Sequence, residues 1–147
     1  MNRVKRMQPV LRLAELEVDK AGRQLAMLQQ RVDSEQNKIV QLRDYQNEYR
    51  SRLQNAGQSG MSVDRLRLFD GFHQQLELAI NQQQKLVLQL QQEQQRLLQI
   101  WQQKDIRYKS LQKMLERLER EQSAQQARIE QRNHDEFARR SANKGWS

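Results

Sequence analysis

At 147 residues the chain has the length of one ordinary domain, but five glycines and a single proline leave it few places to turn. With 36% apolar and 30% charged residues, and Gln, Leu, Arg, Glu, Ala and Lys dominant, a fold of many short elements is excluded and long helices or coiled coils are expected. The absence of cysteine removes disulfides, thiol nucleophiles and thiolate metal sites, while a net charge of +8 favours an acidic partner: nucleic acid, an anionic membrane surface or an acidic protein face.

The opening Met1-Asn2-Arg3-Val4-Lys5-Arg6 is basic enough to begin a signal peptide. The following Val10-Leu11-Arg12-Leu13-Ala14-Glu15 is broken by charge, so it is not the apolar core of one. No run of about 18 apolar residues occurs either. An intracellular location is the expectation.

The first element is a heptad block. Leu11, Val18, Leu25, Val32, Ile39, Gln46 and Leu53 recur every seven residues, interleaved with Ala14, Ala21, Leu28, Glu35, Leu42 and Tyr49. These are the a and d positions of a coiled coil, alternating by three and four. A helix over about 9–55 is predicted, with Pro9 in its first turn, where a missing N–H costs nothing. Asn55-Ala56-Gly57-Gln58-Ser59-Gly60 is the one cluster of breakers. Either Gly57 or Gly60 can end the first helix, within a loop over 56–62. Ser62 then suits the N-cap of the next helix, and Asp64 its first turn.

A second block follows over about 63–140. Leu66, His73, Ile80, Val87, Gln94, Trp101, Tyr108, Leu115, Gln122 and Ile129 hold one seven-residue spacing, and Phe69, Leu76, Gln83, Leu90, Leu97, Lys104, Leu111 and Leu118 the other. Residues 141–147 read as a loose tail. A short loop joins antiparallel neighbours, so the fold class is all-α: a long antiparallel two-helix coiled-coil hairpin with an overhanging C-terminal helix, forming a single domain over 1–147. Centring the turn between Gly57 and Gln58 pairs Tyr49 with Leu66, Ile39 with Leu76, Leu28 with Val87 and Ala14 with Trp101. A slide of one heptad preserves the a-to-d pairing as well. Paired helices of roughly 70 Å result, with the second helix unpartnered beyond about Leu111.

Little here suggests catalysis. His73 falls on an a position, His134 on a polar stretch, and neither has a Cys or His at ligand spacing. Gly57-Gln58-Ser59-Gly60 lacks the Lys-Ser/Thr of a phosphate loop. No catalytic residue, metal or cofactor is expected. For nucleic acid, the cluster Arg3, Lys5, Arg6 is too short, and Lys104 to Arg120 is interrupted by Asp105, Glu116 and Glu119. The 27 glutamines are densest between Gln82 and Gln103, where Leu86, Leu90 and Leu97 keep helical phase. Uncharged coiled-coil surface explains them better than an aggregation segment.

One constellation stands out. Tyr45 and Phe72 occupy g positions beside the seam, on the same side of an antiparallel pair. Leu42, Tyr49 and Leu76 adjoin them and Ala79 continues the edge. They form either a widened core near the turn or an apolar docking stripe rimmed by Lys38, Asp44 and Arg50.

With these residues the chain resembles the FliJ family of flagellar protein-export components. The resemblance is carried by Leu11-Arg12-Leu13-Ala14-Glu15-Leu16-Glu17, by Tyr45-x-x-x-Tyr49-Arg50-x-Arg52-Leu53, by the breaker loop, by Phe72-x-x-Gln75-Leu76-x-x-Ala79-Ile80 and by the Arg-rich end. It implies a cytoplasmic antiparallel coiled coil, peripheral at the inner membrane, that is similar to the gamma subunit of rotary ATPases. Its paired termini would enter the hexameric export ATPase, and Lys104, Arg107, Lys109, Lys113 and Arg117 could meet acidic loops there. Its hairpin region would contact the cytoplasmic linker of the membrane export gate, through Leu42, Tyr45, Tyr49, Phe72, Leu76 and Ala79. At Lys38 and Gln83 the chain departs from the family pattern. A role in cycling export chaperones is implied too, with the protein a monomer on its own. A basic scaffold or nucleic-acid-associated protein is the alternative from charge, and a filament built through the apolar overhang is a third reading.

Overall fold

The computed structural model describes residues 2–145. They form two α-helices, α1 over Arg3–Gln58 and α2 over Val63–Gly145, in an all-α hairpin. The chain divides into two compact units. The turn unit is Lys20–Trp101, and the terminal unit combines Met1–Asp19 with Gln102–Ser147. Within each, a stretch of α1 packs antiparallel against a stretch of α2.

The heptad pattern accounts for what is buried. From Val4 to Ala56 the shielded positions of α1 alternate by three and four residues, with only Glu17 and Gly22 added at the flanks. In the turn unit this stripe meets α2 at Ala21, Val32, Leu76, Ile80, Val87 and Leu90, all buried; in the terminal unit Ala14 and Leu115 are the buried apolar residues. On α2 the shielded strip includes the g positions Phe72, Ala79 and Leu86 in the turn unit, and the e positions Asp105 and Gln112 in the terminal unit. A helix of 3.6 residues per turn drifts in this direction against a strict repeat of seven. No described side chain is fully enclosed, because two helices cover each other on one side only.

The boundaries differ from the sequence expectation in instructive ways. α1 begins at Arg3 rather than near Pro9. Asn2 is its N-cap: Asn2 Oδ1 accepts from the Lys5 N–H at 2.9 Å, and Arg6 N–H donates to the Asn2 carbonyl at 3.2 Å. Pro9 therefore lies inside the helix, where it leaves the Lys5 carbonyl without its helical donor. The cap and the half-buried Val4 and Met7 extend the helix past this defect. At the other end, α2 continues through 141–145, which had been read as tail; residues 146–147 lie outside the described residues.

The turn settles the register. Gly57 remains helical, and the loop is 59–62 rather than 56–62. Gly60, at φ 87°, is the residue that ends α1, and its N–H donates to the Gly57 carbonyl at 3.3 Å. Ser62 caps α2 as expected: its Oγ accepts from the Arg65 N–H at 3.3 Å and its carbonyl from the Leu66 N–H at 3.0 Å. Moving the turn by half a heptad slides the helices by a whole one. The pairings of Tyr49 with Leu66, Ile39 with Leu76, Leu28 with Val87 and Ala14 with Trp101 are therefore superseded. Gln46 reaches Glu77, Tyr49 stacks near Phe72, and Trp101 lies beside Gly22, whose absent Cβ would sit 3.4 Å from the indole Nε1. The same one-heptad slide pairs Glu17 with Lys104 at 3.2 Å in the terminal unit. There the N-terminus of α1 reaches further along α2 than expected. Asn2, Arg3 and Val4 share a groove with Leu118, Glu121 and Gln122. The part of α2 beyond the reach of α1 consequently starts past Gln125, the last residue of that groove, not near Leu111, and every residue over 119–145 is exposed.

Two glycine substitutions separate turn geometry from helix propensity. Gly60→Ala is expected to lower unfolding stability by about 1–2 kcal/mol, because a Cβ is strained in the left-handed region. Gly71→Ala, in mid-helix with nothing within 4 Å of a new Cβ, should raise it by about 1 kcal/mol. Urea midpoints followed by circular dichroism at 222 nm check both.

Candidate functional site

The aromatic cluster of the turn unit is built by both helices at the end nearest the loop. The Tyr45 and Phe72 rings meet edge-on with centroids 6.0 Å apart. Tyr49 lies 4.6 Å from Phe72 and 5.0 Å from Phe69. Such tilted and T-shaped pairs add to what burial alone contributes. Phe69 was expected as a seam residue only. It joins the cluster because its ring reaches across to that of Tyr49.

The six residues singled out as a docking stripe fall into two groups. Leu76 is buried, and Leu42, Tyr49, Phe72 and Ala79 are half-buried. Tyr45 is 48% exposed and is the ring of the cluster most open to solvent. Five of the six thus help hold the helices together, and Tyr45 is the most exposed of them. Of the expected rim, Lys38 donates to Glu35 at 3.1 Å and Asp44 has no ion-pair partner among the described residues, whereas Arg50, an e position, lies on the opposite edge and does not rim the stripe.

Polar layers lie next to the cluster. Gln46, buried in the seam, donates from its amide to the Glu77 carboxylate. Glu35, also buried, accepts from Gln83 Nε2, which reaches the Glu35 backbone carbonyl at 3.0 Å as well. Among the described residues no buried side-chain polar atom lacks a partner. The Gln83 amide, then the Lys38 ammonium, hold the Glu35 carboxyl below its ordinary value of 4.5, and burial opposes them without prevailing.

A second feature of the turn unit lies on the e edge. An open groove of about 430 Å³ is lined by Arg50, Leu53, Leu66, Arg67, Phe69, Asp70 and His73. Its rim residues were legible as surface charge, but nothing in the sequence placed Arg50 and Arg67 at one groove. In the terminal unit the five basic residues behave differently from one another. Lys104 is tied to Glu17 across the helices, and Lys109 to Asp105 at 2.8 Å. Arg107, Lys113 and Arg117 are exposed, with no carboxylate partner among the described residues. Also among the described residues, no cluster of three metal-ligating side chains occurs, and no helix is long and apolar enough to cross a membrane.

These features define a helical-hairpin protein whose candidate sites are exposed side chains along two packed helices. Comparison with known proteins gives the particular family. The model of the family described as "Flagellar FliJ protein" matches residues 3–145. The Flagellar FliJ protein of Escherichia coli (strain K12) is 33% identical over 130 residues, covering 88% of each chain, and that of Salmonella typhi is 34% identical over the same share. No solved structure matches. The chain belongs to the flagellar FliJ family and is a protein related to flagellar export.

Two predictions follow from the geometry of the cluster. Tyr49→Ala, which removes a ring touching both phenylalanines, should destabilise the protein by about 2–3 kcal/mol, and Tyr45→Ala by about 1 kcal/mol or less, in urea unfolding. Glu35 with a lowered folded pKa contributes stability that is complete above its ordinary value and is lost as pH falls through the lowered one. The urea midpoint of the native chain should therefore fall as pH drops below 4.5, and less steeply in Glu35→Gln.

Proposed function

We infer that this protein is a non-enzymatic central-stalk component of the flagellar export apparatus, coupling a hexameric export ATPase to the membrane export gate. Family membership supports the setting. The observation that carries the reading is that the surfaces suited to two partners lie in two different compact units. The terminal unit holds both chain ends, and there Arg107, Lys113 and Arg117 are exposed cations free to meet acidic loops of a ring. The turn unit holds the aromatic cluster, from which Tyr45 projects toward a gate linker. Lys104 and Lys109, already paired with carboxylates, contribute less to the ring contact than the other three. A role in export-chaperone cycling, and a place in the cytoplasm at the inner membrane, belong to the same reading.

The role needs no reaction chemistry. It needs specific surfaces and a framework that keeps them in place. The alternative of a basic scaffold on nucleic acid draws on the net charge, but the exposed cations of the terminal unit are interspersed with Glu116, Glu119 and Glu121.

Reversing Arg107, Lys113 and Arg117 to glutamate should abolish stimulation of the purified export ATPase without lowering helix content. Tyr45→Ala with Phe72→Ala should reduce pull-down by the gate linker by about tenfold or more, the scale of a lost aromatic anchor, and should impair motility. Unchanged ATPase stimulation or unchanged gate capture would remove the corresponding half of the assignment.

A further inference from the structure

The groove on the e edge of the turn unit is a different surface from the aromatic stripe on the g edge. We propose that it is a second docking site, which takes a short acidic segment of a partner protein bearing one large apolar side chain. Each helix contributes to it. α1 supplies Arg50 and Leu53, and α2 supplies Leu66, Arg67 and Phe69. Leucine and phenylalanine line its floor, and Leu66 is 53% exposed.

Charge decides what kind of segment fits. Arg50 and Arg67 are both exposed, and neither has a carboxylate within ion-pair distance among the described residues. The nearby Arg52 is by contrast engaged by Glu48 at 3.4 Å. Two guanidiniums on opposite helices can each take a carboxylate with paired N–H bonds while the floor accepts an apolar side chain between them. The volume of about 430 Å³ is in the range of sites that hold such a side chain together with neighbouring backbone. Asp70 on the same rim disfavours a dense polyanion, so the segment carries spaced carboxylates rather than contiguous phosphates. A bilayer surface fits less well. Leu53 and Phe69 are half-buried between the helices, where a protruding side chain can reach and a flat lipid face cannot.

The test is fluorescence anisotropy on the full chain, with a short labelled peptide carrying one phenylalanine among spaced glutamates. Two control peptides replace the glutamates by lysines or the phenylalanine by alanine. Saturable binding of the first peptide alone is expected. Arg50→Glu with Arg67→Glu should weaken it by at least about tenfold, the scale of one lost charge-assisted hydrogen bond. Leu66→Ala should weaken it too, and Tyr45→Ala should not change it. If the double reversal lowers helix content, Arg50→Gln with Arg67→Gln is read by the same criterion. No saturable binding, equal binding of the lysine peptide, or binding undiminished by the arginine variants would overturn the proposal. Capture of the chain by phosphatidylglycerol vesicles while the peptide fails to bind would overturn it in favour of a membrane surface.

Discussion

One backbone conformation governs the rest of this structure: the left-handed Gly60 that ends α1. An antiparallel heptad seam is nearly degenerate, since sliding one helix by seven residues restores a against d. The turn must break the tie. With α1 carried past Gly57 to Gln58 and the left-handed residue placed at Gly60, the helices meet one heptad further along. Tyr49 is then brought between Phe69 and Phe72, and Trp101 against Gly22, where no side chain competes for its space. The polar side chains of the seam find their partners in the same register, Gln46 with Glu77 and Glu35 with Gln83.

A two-helix seam buries few residues and encloses none, so its side chains serve stability and recognition at once. Tyr49, Phe72 and Leu76 are needed to hold the turn unit together before they can be offered to a partner. Tyr45 is freer, since its exposed ring makes one edge contact. The terminal unit shows the same division among its cations. Some are committed to carboxylates of the chain, and Arg107, Lys113 and Arg117 remain available. Over 119–145 every residue of α2 is exposed.

Much of this was legible in the residues. The spacing of Leu11, Val18, Leu25 and their successors established the helices, their antiparallel pairing and the face each buries. It also placed Tyr45 near Phe72, because g positions of antiparallel helices share one side. Ser62 as N-cap and Asp64 in the first turn of α2 were readable from side-chain chemistry alone. Pro9 was misleading for a local reason: it suits a first helical turn, but Asn2 offered a better cap further back.

Composition and periodicity therefore determined the class of fold and the buried stripe, because helix propensity and the repeat of seven are properties of the chain itself. Register, the inclusion of Phe69 in the cluster, and the meeting of Arg50 with Arg67 at one groove were decided only in three dimensions. The register depends on which residue of a glycine-containing loop takes the left-handed conformation, and both Gly57 and Gly60 can do so. Turn and register are set together, a property of the pair that neither helix carries alone.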